Sequence, residues 1–252
     1  MPPPLSIQLY TLRNEMANGN HLPILQKLAD IGYKGVEGYG YGMTPAEFRK
    51  VVEDMGMVVS SYFGPTPTPE TVQQFIDTAG ELGTNLTVSG FWIPEFETVD
   101  AIRATADRLN AVLPTLHAAG LTFALHNHWM EFEQREGRLA IEHLLEFCPD
   151  LELELDVYWC SAFGANDPAE MMARFADKVP LMHMKDGPFV KGEPHVAVGS
   201  GKLDVGAVMK ARNRDVLKWV VVELDECATD MVQAVEDSYR YLVGNGYAGG
   251  NR

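Results

Sequence analysis

Leu151-Glu152-Leu153-Glu154-Leu155-Asp156-Val157-Tyr158-Trp159 alternates one leucine with one acid. Side chains of a strand alternate in direction, so Leu151, Leu153 and Leu155 share one face and Glu152, Glu154 and Asp156 the other. The branched apolar face must pack against helices, and the acidic face then points toward the middle of a closed sheet. The neighbouring strands read the same way. Leu121–His128 sets Ala124, His126 and His128 on one face and Phe123 and Leu125 on the other. In Leu181–Asp186, His183 and Lys185 share a face. In Trp219–Asp225, Val221, Glu223 and Asp225 do.

Four more strand candidates lie upstream: Ser6–Leu12, Gly35–Tyr39, Met57–Phe63 and Asn85–Phe91. Helical stretches follow each strand, at His21–Ile31, Thr44–Met55, Pro69–Leu82, Thr98–Ala119, Leu139–Phe147, Pro168–Val179, Val205–Arg212 and Met231–Val243. Strands that alternate with helices predict a parallel sheet. Eight such units in 252 residues predict a single (β/α)₈ barrel domain spanning residues 1–252. The punctuation agrees. Gly32, Gly56, Gly83 and Gly120 stand where helices should stop. Thr44-Pro45-Ala46-Glu47 and Asp167-Pro168-Ala169-Glu170 each read as a cap, a proline at the first helical position and an acid in the first turn. The longest loops, Gly64–Thr68, Trp129–Arg138 and Gly187–Asp204, all follow strands, on the side where barrel enzymes build their sites.

His126, Asp156, His183 and Glu223 fall near the ends of four consecutive strands, all on inward faces. Buried charges need a partner or a metal, so these residues form either an ion-pair network with Lys185 or the ligand set of a divalent ion. Imidazole plus carboxylate suits Mn²⁺, the first expectation, as well as Mg²⁺, Co²⁺, Zn²⁺ and Fe²⁺. His126 and His128 share a face, and either can serve as the fifth strand's ligand. Lys185 is placed to polarise an oxygen or to neutralise Glu154. Glu37 ends the second strand and can bind a sugar hydroxyl or form a salt bridge. Trp159 and Tyr10 are candidate sugar contacts, and His195 is a loop residue that can fold over the site. Trp92 either lines the pocket or packs in the core. His21, His117 and His143 lie on helices and are expected at the surface.

Several segments, in order, resemble the xylose isomerase-like family of sugar isomerases and epimerases. They are Ile7-Gln8-Leu9-Tyr10-Thr11-Leu12-Arg13, Gly32-Tyr33-Lys34-Gly35-Val36-Glu37, Leu125-His126-Asn127-His128 with Glu131-Phe132, Leu155-Asp156-Val157-Tyr158-Trp159, His183-Met184-Lys185-Asp186, Val198-Gly199-Ser200-Gly201 and Val222-Glu223-Leu224-Asp225. The resemblance implies metal ligands on strands five to eight, with Asp156, His183 and Glu223 matching directly. It also exposes departures. The epimerases carry Glu where this chain has His126, a His where it has Trp159, and many relatives carry a third-strand His where it has Tyr62. Epimerases of the family use two metal-bound glutamates on opposite faces of the sugar, so the His126 departure makes one-sided proton transfer or elimination more plausible.

The leading expectation is therefore a divalent-metal-dependent isomerase or epimerase acting on a keto sugar or related carbohydrate through an enediolate. Glu223, His128 and Lys185 are the catalytic candidates. The alternatives are a metal-dependent lyase or dehydratase on a keto sugar, keto-glycoside or inosose, and a non-catalytic sugar-binding barrel. The formal charge of −15 opposes binding to nucleic acid and to anionic membranes. No apolar run is long enough for a membrane span. The opening residues do not read as a secretory leader, and three scattered cysteines fit a cytoplasmic protein. Few Arg and Lys lie near strand ends, which favours an unphosphorylated small-molecule carbohydrate. The choice of sugar, and whether the chain forms a homo-oligomer, stay open.

Overall fold

The computed structural model describes residues 1–38 and 42–252. Tyr39, the expected end of the second strand, lies outside the described residues. Eight parallel strands close into a barrel. They are β1 (Leu5–Gln8), β2 (Gly35–Gly38), β3 (Val58–Phe63), β4 (Leu86–Gly90), β5 (Thr122–His126), β6 (Glu152–Asp156), β7 (Leu181–Met184) and β8 (Trp219–Val222). Leu5 pairs with Val220, which seals β1 against β8.

The helices of the outer ring are α1 (His21–Ile31), α2 (Pro45–Asp54), α3 (Val72–Leu82), α4 (Val99–Asn110), α5 (Leu113–Ala118), α6 (Ala140–Phe147), α7 (Pro168–Phe175), α8 (Val205–Ala211) and α9 (Met231–Gly244). Sequence spacing predicts one helix over Thr98–Ala119, but the chain forms two. Pro114 has no N–H to donate and its ring clashes with the preceding turn, so a new helix starts there. The capping box at Thr44 forms, with Glu47 Oε2 accepting from Thr44 N at 2.9 Å. Gly83 ends α3 at φ 74°, a left-handed conformation that costs a residue with a Cβ about 1 kcal/mol or more. Phe48 and Val52 of α2 are fully buried against the barrel. No described helix is long and apolar enough to cross a membrane.

Most strands end earlier than their apolar pattern predicts, and at β1 and β6 the last polar side chains supply a reason. Gln8 Oε1 accepts from Tyr10 N at 3.1 Å, and Leu9–Leu12 winds into a 3₁₀ turn. Asp156 Oδ1 accepts from Tyr158 N and Trp159 N at 2.9 and 2.8 Å. Each bond offers the backbone an alternative to the sheet ladder and turns the chain outward at the mouth. His128 and Trp159 therefore lie beyond strand ends rather than on them.

The register sets the heights of the inward residues. His126 pairs with Glu154, Asp156 with His183, and His183 with Val221. Strands of a closed barrel are staggered, so residues at similar sequence positions in different strands occupy different layers.

Candidate metal centre and active-site cavity

One ligand atom each from His126, Asp156, His183 and Glu223 lie within 4.8 Å of one another. The four expected residues thus converge, and His126 rather than His128 is the β5 member. Asp156 Oδ2 and His126 Nδ1 are buried and make no hydrogen bond; each has an ion-pair contact instead, to Lys185 Nζ at 3.1 Å and Glu154 Oε2 at 3.2 Å. Buried polar atoms without a hydrogen bond are costly, and the imidazole and carboxylate donors gathered here suit a divalent cation.

A second layer lies beneath. Glu37, Glu154 and His183 also bring ligand atoms within 4.8 Å. His183 belongs to both layers. Its Nδ1 is 2.8 Å from Glu223 Oε2, and its Nε2 is 2.9 Å from Glu37 Oε1 and 3.1 Å from Glu154 Oε2. Burial opposes a charge on this ring, but Glu154, Glu223 and Glu37 outweigh it and hold its pKa well above the usual histidine range. Burial and the adjacent Glu37 charge push the Glu154 carboxyl well up. The outer layer opens to a cavity through His126 and Glu223, whereas Glu37 and Glu154 are fully buried. Glu37 therefore does not reach a sugar. One oxygen accepts from Gln8 Nε2 at 2.5 Å and the other from Ser61 Oγ at 2.5 Å, which makes it an orienting group for His183.

Lys185 is almost fully buried. Its ammonium lies 2.8 Å from Glu223 Oε2, 3.1 Å from Asp156 Oδ2 and 3.1 Å from Asp225 Oδ2. It does not pair with Glu154, whose contacts are His126 Nδ1 at 3.2 Å and His183. Burial opposes its charge, but Asp156, Asp225 and Glu223 raise its pKa well above the usual lysine range. Lys185 and His183 hold Glu223 well below the usual carboxylate range against the effect of burial. Even without Glu154, whose carboxyl is pushed up, the acids Glu37, Asp156, Glu223 and Asp225 outnumber the cations His183 and Lys185 around this centre. That surplus of acid suits an added cation.

The cavity at the mouth measures about 460 Å³, and Tyr10, His128 and Trp159 line it. Burial and the nearby Lys185 charge push His128 down to about 4, not the unperturbed value of an exposed imidazole, so the ring is neutral at pH 7. His195 stands apart from the cavity lining. Its Nδ1 accepts from Asp225 N at 3.2 Å and its ring meets Trp159 edge-on at 5.4 Å. Trp92 is not a core residue: it is 63% exposed, lines the cavity and stacks on His128 at 4.7 Å. Tyr62, in place of a third-strand His, is buried against Phe75. His143 is buried, contrary to the surface expectation, with Nε2 3.0 Å from Arg135 O.

Three supporting residues escape a reading of strand alternation. Asn127 faces away from its histidine neighbours; its Oδ1 accepts from Asp156 N at 2.9 Å and ties the end of β5 to that of β6. Glu131 Oε2 accepts from His128 N at 3.0 Å and fixes that residue's backbone. Burial pushes the Glu131 carboxyl up to about 8. Asp186 accepts from the backbone N–H groups of Gly187, Gly199, Gly201 and Leu203 at 2.8 to 3.0 Å. It folds the long β7–α8 loop around one carboxylate. A Cβ at Gly201 would collide with that carboxylate, which explains the glycine there. The signal for all three was present in the motifs themselves, since these residues belong to the segments that carry the family resemblance.

The fold has known counterparts. The chain superposes on a sugar phosphate isomerase/epimerase from Parabacteroides distasonis with a TM-score of 0.82 at 25% identity, covering 99% of this chain and 96% of that one. A probable 3-DHS dehydratase, AsbF, from Bacillus anthracis aligns with a TM-score of 0.73 at 13% identity over 95% and 98% of the two chains. The IolI protein, solved with a bound zinc atom, aligns with a TM-score of 0.73 at 17% identity over 99% and 100%. No curated protein matches the sequence. The family model for the xylose isomerase-like TIM barrel matches residues 25–242, and the chain belongs to that family.

Proposed function

We propose that this protein is a divalent-metal-dependent isomerase or epimerase that moves the proton on the carbon beside the carbonyl of a keto sugar or related carbohydrate. The observation that carries the reading is the convergence of His126, Asp156, His183 and Glu223 within 4.8 Å at the floor of an open cavity. These residues would hold one ion, for which Mn²⁺ is our assignment among the ions that accept imidazole and carboxylate donors. When bound, the ion supplies Lewis-acid polarisation of a carbonyl.

The chain's own groups do the rest. Glu223 is ionised beside Lys185 and His183, so its carboxylate can accept the α-proton. His128 is a neutral imidazole in the cavity wall and can take or return a proton from a second direction. The Lys185 ammonium, 2.8 Å from Glu223 Oε2 and shared with Asp156 and Asp225, keeps the Glu223 carboxylate ionised and in place. Tyr10 and Trp159 line the cavity and offer flat faces to a sugar. The net charge of −15 and the acidic centre fit a small carbohydrate as partner rather than nucleic acid.

His126 favours a second reading. A metal-bound imidazole has no free lone pair on its bound nitrogen, so the centre lacks the second carboxylate base of a two-glutamate epimerase. Proton removal followed by loss of a β-substituent, a lyase outcome, needs only one base. Product analysis on keto sugars, keto-glycosides and inososes separates the two.

Two results test the assignment. Purified protein should retain, or regain after chelation, about one divalent ion per chain, and turnover should follow that occupancy. Absence of any stoichiometric ion, with turnover unaffected by chelation, would sink the metal reading. His128→Ala should lower kcat by a factor of about 10² or more while leaving metal content intact. Loss of metal together with activity would instead make His128 a ligand.

A further inference from the structure

We propose that the ligand of this site is an uncharged two-ring glycoside, with its sugar above Glu223 and its second ring beyond Trp92. The proposal rests on the carbohydrate reading above and adds to it the charge and shape of the substrate.

The charge argument comes from the cations. Among the described residues, no Lys or Arg lines the first cavity, whereas Glu223 and Asp225 do. Lys185 lies among three carboxylates. Arg13 is spent on backbone carbonyls, donating to Tyr10 O at 3.0 Å and Asp225 O at 2.6 Å. Lys191 sits over the Trp129 and Phe163 rings, 5.7 Å from each centroid. A phosphate group would meet the Glu223 and Asp225 carboxylates with no cation in the described cavity lining to receive it, a costly arrangement in a partly desolvated cleft.

The shape argument comes from Trp92. A second cavity of about 640 Å³ adjoins the first and shares Thr66, Gly90, Phe91 and Trp92 with it. A single small-molecule pocket of about 300–1,000 Å³ already accommodates a drug-sized ligand, so the first cavity alone suffices for a hexose and the adjoining one leaves space for a second ring. The indole of Trp92 stacks on His128 at an interplanar angle of 25°, yet the residue remains 63% exposed. A large aromatic left open beside a reactive group offers a flat platform for a second ring. The second cavity also holds more acid than base among its described lining residues. Glu95 and Asp107 line it, and its cation Arg108 already contacts Glu95 Oε1 at 3.4 Å and Thr105 Oγ1 at 3.1 Å.

The test is equilibrium binding to the Mn²⁺-loaded protein, read by calorimetry so that turnover is not required. The probes are methyl and phenyl β-glycosides of glucose, galactose and mannose, with glucose 6-phosphate. For whichever sugar binds, the phenyl glycoside should bind at least about tenfold more tightly than the methyl glycoside. Trp92→Ala should weaken the phenyl glycoside far more than the methyl glycoside and so erase that difference, while Trp92→Phe keeps most of it. Trp92 is too exposed for either change to threaten folding. Tighter binding of glucose 6-phosphate, a phenyl-to-methyl ratio below about threefold, an equal loss for both probes in Trp92→Ala, or no glycoside binding at all would overturn the proposal. A clear phenyl preference without turnover on any keto sugar would overturn the isomerase reading and leave this one standing.

Discussion

Glu223→Gln is expected to lower kcat by a factor of at least about 10³, because one atom substitution removes a proton acceptor and a metal-facing charge together. The side chain is buried at the cavity floor. Its carboxylate sits 2.8 Å from both Lys185 Nζ and His183 Nδ1, which keep it ionised. Glutamine preserves the shape and one acceptor oxygen but carries no charge and no basic lone pair of that strength. Lys185 keeps Asp156 and Asp225, so the variant should fold, which circular dichroism can verify. Two measurements separate the effects. Metal content reports the ligand role, and wash-out of the α-proton of a keto sugar in ²H₂O reports the base. Retention of more than about a tenth of wild-type exchange would remove Glu223 from the mechanism.

Asp186→Ala should be the most destabilising single substitution near the site, by about 4 kcal/mol or more. Four backbone N–H groups converge on this carboxylate, and the residue is fully buried. Hydrogen bonds to a charged acceptor contribute about 1.5–3 kcal/mol each, and buried donors left unpaired cost comparable amounts. The four do not simply add, since the loop can relax toward water. The loop also bears His195, whose Nδ1 accepts from Asp225 N, and Asp225 in turn faces Lys185. Urea denaturation should show a lower midpoint with little change in slope. Limited proteolysis should cut within residues 187–204. A loss below about 1 kcal/mol would mean that the loop folds without its carboxylate hub.

The sequence by itself determined the barrel. Period-two alternation in Leu151–Asp156 and its counterparts, glycines after helices and capped helix starts are local signals, and each acts through sterics or hydrogen bonds within a few residues. The identity of the four converging residues was legible for the same reason. Inward direction follows from parity along a strand, and His126, Asp156, His183 and Glu223 share it. Parity does not fix height, however. Glu154 and Asp156 both point inward, yet the register of β6 with β7 puts Asp156 level with His183 and leaves Glu154 a layer lower beside Glu37. That stagger is a property of the closed barrel, which only the tertiary fold contains. The same limit explains Glu37 and His195, whose expected sugar contacts gave way to partners far away in sequence: Gln8, Ser61 and His183 for one, Asp225 for the other. It explains Trp92 too, since an indole after a strand reads as core until the loops around it show which face they leave open. Local chemistry set which residues point inward; the joining of distant strands and loops decided which of them meet, which are spent on one another, and which remain free to face a ligand.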